Sequence, residues 1–109
     1  MRLYGIKTCD TCRKALKDLQ NAGVNISLHD VRAEPLPAGK IDLFSQEFGD
    51  ALVNRRSTTW RQLTENERLM PVRELISAHP TVMKRPVIEA DDGALHLGWS
   101  AATKAALLP

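Results

Sequence analysis

Both cysteines of this chain fall at one seam in its hydrophobic pattern, where a short strand-like segment gives way to a helical stripe. Arg2 to Ile6 is predicted as a strand. After a turn through Lys7 and Thr8, the apolar positions Cys12, Ala15, Leu16 and Leu19 recur at the spacing of one helix face. Thr8 or Asp10 can cap that helix, and Asn21-Ala22-Gly23 supplies its stop. Cys9 and Cys12 thus sit at the head of the first helix. A bridge between them closes too small a loop to add much chain-entropy stability, so their use is read as chemical rather than structural.

A second strand fits Ile26 to Val31, completing β-α-β. Glu34 to Gly39 reads as a loop, and Ile41, Phe44, Ser45 and Phe48 form a helical stripe that ends at Gly49. Thr58-Thr59-Trp60-Arg61 can start a further helix, and Pro71 another through Val72, Leu75 and Ile76, which His79-Pro80 ends. Val82 through Glu89, then Asp91-Asp92-Gly93, then Leu95 to Leu97 read as a β-hairpin. Ser100 can cap a last helix containing Ala101, Ala105 and Leu108. The order β-α-β, helices, β-β-α predicts an α/β chain with a mixed sheet and a thioredoxin-like fold. One domain is expected over 1–109, with a helical insertion at about 38–79.

The length of 109 residues supports one core without staples. With 43% hydrophobic and 26% charged residues, composition points neither to disorder nor to a membrane role. No secretory signal or spanning segment is visible, so a cytoplasmic monomer is expected. A formal net charge of +2 with interleaved signs falls short of a nucleic-acid-binding stripe. No metal is expected, because a zinc site takes about four ligands and His29, His79 and His96 lack paired spacing. Two inert core thiols remain the bland alternative to redox chemistry.

A free thiol with a pKa near ~8.5 is mostly protonated at neutral pH, while its thiolate is the reactive form. At a helix start, Cys9 meets unpaired backbone N–H groups and the positive end of the helix. The dipole supplies about 0.3–1 kcal/mol, less than the ~2.7 kcal/mol a two-unit shift requires. Hydrogen bonds from backbone N–H groups, the Cys12 thiol and the Thr11 hydroxyl, with the charges of Lys7, Arg13 and Lys14, are expected to add the rest. Cys9 is therefore assigned as attacking thiol and Cys12, one turn inside, as resolving thiol. Asp10 is read as a cap that can also tune the thiol.

Four segments carry a family resemblance: Leu3 through Ala15, Leu52 through Arg61, Lys84-Arg85-Pro86-Val87, and Leu97-Gly98-Trp99-Ser100. In that order they resemble the arsenate reductase (ArsC)/Spx family, most closely its YffB-like branch. The resemblance spans nearly the whole chain. It implies a thioredoxin fold with a helical insertion, a catalytic cysteine at Cys9 with Thr8 and Thr11 in support, and an arginine-lined anion site. Arg85 matches the arginine before the family's cis-proline, so a cis bond at Arg85-Pro86 is expected, turning the guanidinium towards Cys9.

Two further arginines that clamp arsenate in arsenate reductases align here with Asn54 and Gly98. Each lost charge-assisted bond is worth roughly 1.5–3 kcal/mol; Arg55 or Arg56, next door, can partly replace the first, and nothing replaces the second. The resemblance therefore implies a glutathione-dependent thiol reductase with no bound cofactor. Glutathione is its co-substrate, and Lys7, Arg55 and Arg85 are candidate carboxylate contacts. Arsenate reduction with glutathione is one alternative. An Spx-like regulator, in which the thiol pair switches binding to RNA polymerase, is another. Trp60 and Trp99 are read as core anchors rather than a stacking platform.

Overall fold

The computed structural model describes residues 1–109. The chain divides into two units, Met1–Asp30 with Arg85–Pro109, and Val31–Lys84.

In the first unit, β1 (Arg2–Gly5), α1 (Asp10–Asn21) and β2 (Ser27–Asp30) are followed, after the intervening unit, by β3 (Val87–Glu89), β4 (Leu95–Leu97) and α6 (Ala101–Leu107). The sheet order is β2-β1-β3-β4. β1 runs parallel to β2, with Leu3 opposite Leu28, and antiparallel to β3, with Leu3 opposite Ile88. β3 and β4 close the hairpin with Val87 opposite Leu97. This is the mixed sheet the sequence predicts. The parallel pair needs the α1 crossover, whereas the antiparallel pair needs only the Asp91-Asp92-Gly93 turn.

Leu3 and Ile88 point to one sheet face, where Cys12, Ala15 and Leu19 of α1 join Ile26 in a buried cluster. Burial of side chains such as Leu3, Leu19 and Ile88 stabilises by about 1.5–3 kcal/mol each. Leu107, Leu108 and Trp99 pack on the same cluster. Trp99 Nε1 also donates to Asp18 Oδ2 at 3.2 Å, tying the chain before α6 to α1. On the opposite face Tyr4 is fully buried, with its hydroxyl 3.3 Å from Glu89 Oε1 and its ring against His29.

The second unit carries α2 (Ala38–Phe48), α3 (Thr58–Gln62), α4 (Glu65–Arg68) and α5 (Val72–Ala78), with 3₁₀ turns at Gly49–Leu52 and Pro80–Val82. Ile41 and Phe44 of α2, and Leu75 and Ile76 of α5, are buried where these helices pack. Ser57 caps α3 by accepting the Trp60 N–H. Thr64 and Glu67 form a reciprocal capping box at α4.

Several expectations require correction. Neither Thr8 nor Asp10 caps α1; Cys9 itself occupies the N-cap, and Asp10 begins the helix and pairs with Arg13 at 2.6 Å. The hairpin does not extend back to Val82, since Pro80–Val82 is a 3₁₀ turn and β3 starts only after Pro86, which has no N–H to give a ladder. Ser100 caps α6 and the helix holds Ala101 and Ala105 as expected, but it ends at Leu107, and Leu108 is its extended C-cap. The separate helix α4 is not among the helices expected from the sequence, although its Thr64-x-x-Glu67 signature is present.

Candidate active site

Cys9 is fixed by its backbone before its side chain acts. Its N–H donates to the Ile6 carbonyl at 3.1 Å and its carbonyl accepts from Arg13 N–H at 3.0 Å. The residue is extended, at φ −81° and ψ 118°, and half-buried. The sulfur therefore stands at the N-cap, the position where Ser, Thr or Asp commonly accepts the N–H of the third helical residue. Here that residue is Cys12. No side-chain bond of ordinary capping geometry forms, but the Cys12 N–H still stabilises the thiolate.

Burial opposes ionisation of Cys9. The Cys12 N–H, the Cys12 thiol, and the hydrogen bond and positive charge of Arg85 outweigh it, holding the Cys9 thiol below the ordinary 9.0. Cys12 moves the other way. It is 1% exposed, and burial, reinforced by Cys9 as hydrogen-bond partner and neighbouring charge, pushes it up to about 12. The Ile6 N–H and the charge of Arg85 pull against that shift. One thiol is therefore poised as nucleophile while its neighbour remains a protonated donor.

The Arg85–Pro86 bond is cis, as the sequence predicts. Pro86 is held from behind by Gly98, whose N–H donates to the Pro86 carbonyl at 2.7 Å. Gly98 has φ 79°, a left-handed conformation that disfavours a side chain. Gly98 is thus a backbone brace for Pro86.

The charges around Cys9 differ from those expected. Arg13 is drawn to Asp10, and Lys14 lies 3.5 Å from Asp18. Lys7 has an exposed side chain, and its N–H donates to Asp30 Oδ2 at 3.0 Å. Thr8 and Thr11 are exposed in the turn and the first helical residues. The sulfur's side-chain hydrogen bonds come from Cys12 and Arg85 rather than from Thr11.

Asn54 and Arg55 belong to the second unit. Asn54 Oδ1 accepts the Arg56 N–H at 3.0 Å. The Arg55 guanidinium stacks 5.3 Å from the Trp60 ring centroid, and Arg68 lies at the same distance from that ring. Trp60 is thus half-buried beside two arginines, whereas Trp99 is packed against the core of the first unit.

Sequence reasoning missed Gly5. A Cβ there would collide with Cys12 Sγ. A lone Gly inside a strand is the signal for such a close approach.

A thioredoxin-like sheet carrying a cysteine pair at the head of its first helix, with a cis-proline arginine beside it, defines a thiol-redox fold. The chain belongs to the ArsC family, whose model matches residues 4–107. It is 41% identical over 98 residues to a protein of Haemophilus influenzae described as uncharacterized, covering 85% of this chain and 86% of that one. It is 28% identical over 104 residues to the global transcriptional regulator Spx of Bacillus subtilis, covering 90% and 79%. The solved structure of a YffB protein, 32% identical, superposes with a TM-score of 0.87 over 99% of this chain and 98% of that one.

Proposed function

We propose that this chain is a thiol–disulfide reductase acting on glutathione mixed disulfides, with Cys9 as nucleophile. The observation that carries this reading is the pairing of a low-pKa Cys9 with Arg85, beside a high-pKa Cys12. The Cys9 thiolate attacks the glutathione sulfur of the substrate disulfide. A bond forms from Cys9 to glutathione, the original S–S bond breaks, and the substrate leaves as a thiolate that takes a proton from solvent.

Capture removes the negative charge on Cys9, and with it one of the influences that keep Cys12 protonated. Two releases follow. A second glutathione thiolate attacks the bound glutathione sulfur, yielding oxidised glutathione and free Cys9. Alternatively, Cys12 loses its proton and attacks the Cys9 sulfur, expelling glutathione and closing a disulfide that two further glutathiones reopen. Either way the net change is the same: the mixed disulfide and one glutathione become the substrate thiol and oxidised glutathione. Arg85 and Lys7 are the cations proposed to meet glutathione carboxylates.

No helix is long and apolar enough to cross a membrane. The reaction is proposed for the cytoplasm, where glutathione is reducing. The Spx relative supports a second reading, in which Cys9–Cys12 oxidation disturbs the core around Cys12 and so alters a protein-binding surface.

Reduced protein is to be incubated with a glutathionylated peptide and glutathione, and separately with arsenate and glutathione. Peptide turnover that disappears in Cys9→Ser supports the proposal. Turnover of arsenate alone contradicts it in favour of arsenate reduction. Turnover of neither, with redox-dependent capture of RNA polymerase, contradicts it in favour of the regulator.

A further inference from the structure

The Cys12 sulfur lies where a side chain on β1 would otherwise stand. A Cβ at Gly5 would collide with Cys12 Sγ, and would lie 3.2 Å from Cys12 Cβ and 3.3 Å from Leu3 Cδ2. Backbone conformation does not demand glycine here, because the glycines at positive φ are Gly23, Gly49, Gly93 and Gly98. The demand comes from the sulfur. The neighbouring Ile6 N–H acts on that same sulfur, so the end of β1 supplies both an open space and a donor.

We propose that Gly5 is a positioning residue for the thiol pair: its missing side chain forms the seat that holds Cys12 Sγ beside Cys9. This rests on Cys9 being the nucleophile and adds what keeps its donor in place. β1 cannot easily yield, since Gly5 pairs with Asp30 of β2 and Tyr4 before it pairs with Val87 of β3. A methyl group at Gly5 therefore displaces the lighter obstacle, the Cys12 side chain. Once Sγ leaves its seat, Cys9 loses a hydrogen-bond donor while Arg85 remains.

The test is the rate of Cys9 alkylation against pH in the wild type, Gly5→Ala, Cys12→Ala and the double variant. Gly5→Ala is expected to slow Cys9 labelling at neutral pH roughly tenfold, the size of one hydrogen bond to a charged group. Cys12→Ala is expected to slow it similarly, and the double variant no further than Cys12→Ala. The double variant should also unfold at a higher temperature than Gly5→Ala, because alanine at 12 has no sulfur to collide. If Gly5→Ala fails to fold, recovery of folding in the double variant carries the same result.

Unchanged Cys9 labelling in Gly5→Ala, additive slowing in the double variant, or a double variant no more stable than Gly5→Ala would overturn the proposal. Fast Cys9 labelling without turnover of a glutathionylated peptide would remove the substrate reading and leave the seat standing.

Discussion

Arg85 gives the Cys9 sulfur both a hydrogen bond and a positive charge, from the residue immediately before a cis-proline. The two residues are distant in sequence, and the antiparallel pairing of β1 with β3 brings the start of α1 and the start of β3 to the same end of the sheet. Cys9 alone would have the helix terminus to draw on, and burial works against its ionisation. The arginine and the Cys12 donors decide the balance.

Replacing Arg85 by Gln is therefore expected to raise the Cys9 pKa and slow its alkylation at neutral pH by roughly tenfold. Arg85→Lys should recover part of the effect, because it keeps charge but loses the planar fork. Thiolate ultraviolet absorbance followed through a pH titration checks both variants.

Cys12 predicts a loss of stability at alkaline pH. Its folded pKa of about 12 exceeds the ordinary 9.0, so above 9.0 the unfolded chain releases this proton before the folded chain does. Stability from this group consequently falls as pH rises from about 9.0 towards about 12. Cys9 has the opposite sign: its lowered pKa contributes stability above the ordinary value, lost as pH falls through the lowered one. Urea unfolding of the wild type and Cys12→Ala across the alkaline range should show a shallower decline in the variant.

Gly98→Arg restores in sequence the arginine expected of an arsenate clamp, but not in function. At φ 79° the new side chain strains the backbone that braces Pro86. A cost of about 1–2 kcal/mol is expected, with no gain of arsenate reduction. Thermal unfolding and an arsenate assay on the same sample check the two parts.

Trp99 is expected to act through packing and through Asp18. Trp99→Phe should cost about 1 kcal/mol for the lost indole hydrogen bond. Trp99→Ala should cost about 3 kcal/mol, the low end for a large aromatic because the ring is only half-buried. Denaturant unfolding distinguishes them, and Cys9 alkylation should change little in either.

Much of this arrangement was legible in the sequence because periodicity and punctuation carry it. The Cys12, Ala15 and Leu19 stripe, the Asn21-Ala22-Gly23 stop and the Asp91-Asp92-Gly93 turn each express a local rule, and each appears in the fold. What could not be read was tertiary. Arg13 and Lys14 lie beside Cys9 in sequence, yet α1 offers them Asp10 and Asp18, so proximity overstated their effect on the thiol. Gly5 looked like an ordinary strand residue because the atom that excludes its side chain belongs to Cys12, one helical turn into α1. Gly98 read only as a missing arginine; its φ and its bond to Pro86 are properties of the closed hairpin.

Which cysteine is labelled first decides whether Cys9 is the nucleophile. The reduced protein is treated briefly at neutral pH with less than one equivalent of iodoacetamide, and the label is located by peptide mass spectrometry. Cys9 should carry nearly all of it, with Cys12 modified only after unfolding. Labelling of Cys12 as fast as Cys9, or faster, would contradict the account.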